Sequence, residues 1–204
     1  MKKWLFASTL LTMLQINSYA NEIEYSGIVE VMPGNVLITN DLSNLKFSGS
    51  KNGKVIDESL ENDANYIPSL SGGFEATDGN LRFQFLGGFS TLINGDLSAT
   101  IIKFDAAGYY MGGYNNKFGI GLHISTLSFL SPSWSGNADV DFDDTNAVAP
   151  GIAFLYGSDF IIKGSVDYLV GSSMDITTKN ATVSNYSSIS LDGVMIQIGL
   201  MYKF

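Results

Sequence analysis

The sequence has no cysteine, and among its 204 residues there are one arginine (Arg82), one histidine (His123) and four prolines. The missing cysteine excludes disulfide staples, thiolate zinc sites and a lipidated N-terminal cysteine. Basic residues are few: 11 Lys and Arg stand against 20 Asp and Glu, for a net charge of −9, so charge argues against nucleic-acid binding. Beyond residue 20 there is no run of 18 apolar residues, which excludes a transmembrane helix downstream. Helix formers are sparse there, whereas Gly (22), Phe (13) and Tyr (10) are frequent, an all-β composition.

The first twenty residues read as a secretory signal peptide. Lys2 and Lys3 precede a short apolar core at 4–14, and Ser18 and Ala20 occupy the −3 and −1 positions of a cleavage site. That core is too short to cross a bilayer as a helix. The expected domains are therefore a signal peptide at 1–20 and a single folded domain at 21–204. Cleavage removes two lysines and no acid, which moves the net charge to −11. An exported chain without disulfides needs another source of stability, and a closed hydrogen-bonded sheet supplies one.

What is present is alternation. Val194, Ile196, Ile198, Leu200, Tyr202 and Phe204 share one parity, against Met195, Gln197, Gly199, Met201 and Lys203. Successive strand side chains point to opposite faces, so one face is apolar throughout. Upstream, Leu81/Phe83/Phe85/Phe89, Ile102/Phe104/Ala106/Tyr110, Phe118/Ile120/Leu122/Ile124, Phe160/Ile162/Val166/Tyr168 and Tyr66/Leu70/Phe74 repeat the pattern, and 148–156 repeats it weakly. A soluble sandwich would bury such faces; a membrane barrel turns them to lipid. Runs of about 9–12 residues match a tilted transmembrane strand rather than the usual soluble length.

Connections alternate in length. Tight turns at 77–80, 112–116 and 157–159 separate polar segments at 48–65, 131–147 and 171–187, with 92–96 the short exception. Seven strands run from residue 66 onward, and two segments compete for the eighth: 23–32 is preferred, with 36–47 assigned to a large first loop, whereas counting both gives nine strands, or ten with a further one. The expected fold is an all-β, antiparallel up-and-down transmembrane β-barrel of eight strands. Counted back from Phe204 with both termini in the periplasm, the tight turns are periplasmic and the long loops external.

Gln197, Gly199, Tyr202 and Phe204 fill the four defined places of a pattern that resembles the C-terminal β-signal of outer-membrane proteins. The resemblance implies recognition by the barrel-assembly machinery. In architecture the chain resembles the small eight-stranded bacterial outer-membrane barrels of the OmpX, OmpW and OmpA-transmembrane-domain type. This implies an outer-membrane location with lipid and lipopolysaccharide as surroundings, and no particular ligand.

The inward parity gathers Glu24, Glu30, Glu75, Arg82, Lys103, Asp105, His123, Lys163, Asp167 and Lys203. Charges at membrane depth require partners or water. The expectation is a paired polar filling that closes the lumen; a narrow ion path is the alternative. His123 and Ser125 form a His-x-Ser that resembles a fragment of the lipid A deacylase barrels. However, Thr126 stands where that family has Asn, no carboxylate partner is evident, and both residues fall on the inward parity. Asp139, Asp141, Asp143 and Asp144, together with Glu58, Glu61 and Asp63, read as solvated external acids that could bridge divalent cations to lipopolysaccharide phosphates. No motif implies a cofactor or a resident metal. The leading function is a structural or surface-interaction barrel, followed by a small channel or carrier for small or apolar solutes, then a lipid A-modifying enzyme.

Overall fold

The computed structural model describes residues 23–39, 41–60, 64–113, 115, 117–171 and 173–204. The expected signal peptide lies outside them. In chain order the strands are β1 (Glu24–Met32), β2 (Val36–Thr39), β3 (Lys46–Lys51), β4 (Lys54–Ser59), β5 (Ala64–Tyr66) and β6 (Ser69–Asp78). Then come β7 (Leu81–Asn94), β8 (Leu97–Gly112), β9 (Phe118–Trp134), β10 (Val140–Phe142) and β11 (Thr145–Gly157). The last are β12 (Phe160–Leu169), β13 (Ser173–Thr178), β14 (Thr182–Ser184), β15 (Ser188–Ser190) and β16 (Gly193–Lys203).

Eight antiparallel staves close a ring. They are β1 continued by β2, β6 preceded by β5, then β7, β8, β9, β11, β12 and β16. Closure is direct, since β1 pairs with β16 from Ile28↔Lys203 to Val31↔Leu200. Phe204 N–H donates to Gly27 O at 3.0 Å, and Gly27 N–H donates back to Phe204 O at 2.9 Å. Closure leaves no unpaired edge, which is what spanning a water-free layer by strands demands.

The two parities have opposite environments. Phe104, Leu122, Ile152, Val166 and Leu200 point outward and are more than half exposed, while Lys103, Asp105, His123, Ala153, Ser165 and Met201 beside them in sequence point inward and are buried. An apolar exterior running around the whole wall is the inverse of a water-soluble protein.

The first hairpin departs from expectation. Residues 36–39 belong to the wall as β2, which pairs with β16 and β5, and not to a first loop. Even positions face inward in β1 (Ile28, Glu30, Met32), but odd positions do so in β2 (Leu37, Thr39). The break at 33–35 shifts the phase, so a strict period of two loses the strand there. Proline, which has no N–H, marks all such irregularities. Pro33 and Pro68 interrupt the first two staves, and Pro132 sits at the β9 irregularity beside Ser131 (φ 50°). At Pro150 the β11–β12 ladder stops, to resume as the single bridge Val148↔Val170.

The long segments are not polar loops. They form two small sheets, β14-β3-β4 and β10-β13-β15, that cap the barrel. Their apolar residues (Phe47, Ile56, Phe142, Met174, Ile189) pack against inward residues of the wall such as Leu37, Ile101, Phe129, Leu169 and Met195. The expected turn at 92–96 contracts to Gly95 and Asp96, with Gly95 at φ 54° between β7 and β8. At the opposite end a second apolar layer contains Ile28, Leu86, Tyr109, Met111, Leu155, Ile161 and Met201. The polar layer lies between these two.

Close backbone approach makes a wall glycine irreplaceable at Gly121, where an added Cβ would lie 1.9 Å from Gly108 O. Gly121→Val is expected to abolish the compact, SDS-resistant form that migrates anomalously in unheated samples. Gly112→Ala, with nothing within 4 Å of the added carbon, should retain it.

Candidate functional site

Alternation on β8, β9, β12, β1 and β16 projects Lys103, Asp105, His123, Lys163, Asp167, Glu30 and Gln197 into one layer of the lumen, all buried. Lys163 Nζ donates to Glu30 Oε2 at 2.6 Å. Lys103 lies 2.9 Å from Asp105 Oδ2 on its own strand. Lys103 also donates to Gln197 Oε1 at 2.8 Å, and β16 stands opposite β8 in the ring. Gln197 Nε2 donates to Asp167 Oδ2 at 2.7 Å, and Asn35 Nδ2 donates to Gln197 Oε1 at 3.2 Å. His123 Nδ1 is 2.7 Å from Asp167 Oδ1. Contacts that span the ring fill it, so this layer is a packed polar core.

The expected charge cluster separates into two groups. Glu75 and Arg82 lie nearer the turn end with Lys203 and Gln84. Glu75 Oε1 accepts from Lys203 Nζ at 3.0 Å, and Glu75 Oε2 accepts from Gln84 Nε2 at 2.7 Å. Arg82 Nη1 approaches Glu75 at 3.8 Å and, among the described residues, bridges no second carboxylate. Glu24, expected inward, is exposed at the start of β1. His123 has two carboxylates beside it, Asp167 and Asp105, contrary to the expectation of none. Both come from other strands, so only tertiary pairing reveals them.

The four residues that resemble a β-signal divide by face. Gln197 is the hub of the lumen network. Gly199 lies against the first stave, where a Cβ would meet Val31 O at 2.2 Å. Tyr202 packs outward between Phe160 and Phe204, with ring centroids at 4.9 and 6.2 Å. Asn35 and Trp134 escaped the sequence reading: Asn35 falls in the phase-shifted break, and Trp134 ends a strand that runs further than its outward apolar band.

At the cap, Glu58 is not a free external acid. Its carboxylate accepts from Trp134 Nε1 (2.8 Å), Asn137 N (2.7 Å), Asn137 Nδ2 (2.9 Å) and Ala138 N (3.0 Å). It therefore latches β4 to the segment that follows β9. Burial alone would raise its pKa, but the hydrogen bonds from Trp134, Asn137 and Ala138 outweigh it and lower the carboxyl to about 2. Asp141 pairs with Lys179, Asp139 accepts from Asn180, and Asp144 accepts from Ser131 N at 2.6 Å. The acidic segment thus spreads over separate partners, and among the described residues no acidic or histidine group is arranged to hold a metal. Glu61 and Asp63 lie outside the described residues.

Lys163→Met strands Glu30 as a buried unpaired carboxylate and should cost about 3–5 kcal/mol. Glu30→Leu combined with Lys163→Met should recover most of that loss, as read by urea unfolding of the folded barrel. For Glu58, a carboxyl held below its ordinary value of 4.5 contributes stability that is complete above about pH 4.5 and is lost as pH falls through about 2. Pepsin cleavage of the cap should rise across that window, on the order of 1 kcal/mol at this half-exposed position. Glu58→Gln should raise the cap's susceptibility to proteases already at neutral pH.

No family model matches the chain, and no curated protein matches it. Among solved structures it is similar to the outer membrane protein OprG from Pseudomonas aeruginosa, at 15% identity and a TM-score of 0.50, covering 89% of this chain and 97% of that one. Looser likenesses are to Neisserial surface protein A, at 12% identity, 90% and 100% coverage and a TM-score of 0.43, and to the outer membrane protease OmpT from Escherichia coli, at 9%, 93% and 99%, and 0.33. The last two are too distant in geometry to bear on function. The closed eight-stave ring, the outward apolar wall and the likeness to OprG agree on one fold, that of the small outer-membrane β-barrels.

Proposed function

We propose that the chain is an integral outer-membrane barrel with a filled, non-conducting lumen, and that its structured cap works as a surface-interaction platform. The observation that carries this reading is the stack inside the ring. Among the described residues a cap-packed apolar layer, a cross-linked polar layer and a second apolar layer follow one another, and their buried side chains fill the ring. An apolar wall suits a bilayer, and the terminal Gln197, Gly199, Tyr202 and Phe204 suit delivery by the barrel-assembly machinery after export on a cleaved signal peptide. Lipid and lipopolysaccharide are then the immediate surroundings. Ser125 and His123 face inward and are buried, which favours a non-enzymatic role over action on lipid A.

The test is conductance in planar bilayers. The filled barrel is expected to show no discrete conductance steps. Steps that shrink when Lys163 or Arg82 is replaced would overturn the reading in favour of a small channel. Expression should leave lipid A unaltered; an alteration lost in His123→Ala would point to the enzymatic alternative.

A further inference from the structure

Ser125, His123 and Asp167 have the composition of a nucleophile, a base and an orienting carboxylate. Ser125 Oγ is 3.4 Å from His123 Nε2, and His123 Nδ1 is 2.7 Å from Asp167 Oδ1. The surroundings of the ring assign its protons differently. Ser125 has one hydroxyl proton, and it goes to Asp105 Oδ1 at 2.5 Å, so the oxygen presents a lone pair to Nε2. Asp105 Oδ1 itself lies 3.6 Å from Nε2. On the other side, Asp167 Oδ2 already accepts from Gln197 Nε2 at 2.7 Å and from Ser165 Oγ at 2.5 Å. The orientation of the Gln197 amide is fixed, because its oxygen accepts from Lys103 and Asn35. Both ring nitrogens therefore face acceptors, and only a ring carrying N–H on both can donate to each.

Charge balance in the layer points the same way. Glu30, Asp105 and Asp167 face Lys103 and Lys163, three anions against two cations, in a buried space where net charge is costly. The Tyr109 hydroxyl is a further titratable group of the neighbourhood.

We propose that His123 stands in the lumen as a doubly protonated imidazolium, the third cation of the central layer, bridging Asp105 on β8 to Asp167 on β12. It ties β12 to the hydrogen-bonded pair β8 and β9, from which β11 separates it in the ring. An imidazolium has no free lone pair and cannot take the proton of Ser125, so this constellation is an ionic bridge and not a hydrolytic triad.

The single histidine makes the test direct. In untagged protein labelled with 15N-histidine and folded in detergent at pH 7.5, both ring nitrogens are expected to show a directly bonded proton. A ring nitrogen without one would overturn the proposal, including the case in which the proton resides on Asp167. Asp167→Asn removes one anion and leaves one acceptor oxygen where there were two, and should convert the ring to a neutral form with one protonated nitrogen. A ring that stays doubly protonated in that variant would also overturn the bridge. Should the variant fail to fold, the spectrum of the unaltered protein decides alone.

Discussion

The structure depends on closure of the hydrogen-bonded ring between β1 and β16. In a layer without water every backbone N–H and C=O must find a partner within the protein, and an open sheet would leave two edges of unpaired groups at several kcal/mol each. The reciprocal bonds between Gly27 and Phe204 carry this pairing to the last residue. Once the ring is closed, the outward residues have no core of their own to form and the inward ones share a space about one side chain deep.

That confinement explains the layered interior. A ring of eight staves is narrow enough for Lys103 to reach the opposite wall and for Lys163 to reach Glu30. Buried charges are tolerated because each has an opposite charge or a hydrogen-bonding group within reach, and the two apolar layers hold that network away from water at both ends. The cap extends the same logic beyond the wall. Its two small sheets bury Phe47, Phe142 and Met174 against the barrel mouth, and Glu58 ties the segment carrying β4 to the one that follows β9.

The proline positions show how much irregularity a closed barrel accommodates. Each proline removes a ladder donor, and each lies where a stave breaks, bulges or skips pairing. The break at 33–35 has a consequence in the lumen, since it brings Asn35 inward to hydrogen-bond Gln197 and Ser69.

Much of this was legible beforehand. Period-two alternation identified all eight staves, the inward parity predicted Lys103, Asp105, His123, Lys163 and Asp167 as lumen residues, and short and long connections gave the up-and-down order. These follow from local geometry, because a strand's side chains alternate whatever its partners are. What stayed hidden depends on which strands meet. The carboxylates beside His123, the separation of Glu75 and Arg82 from the central layer, the phase shift that returns 36–39 to the wall and the packing of apparently polar loops into a cap all arise from contacts between distant parts of the chain. Where the phase is unbroken, alternation in the sequence by itself determined which side of the wall a residue faces, including the outward face of the final strand ending in Phe204. Only the tertiary structure decided which inward groups become partners, because register and ring closure, not sequence spacing, set the distances across the lumen.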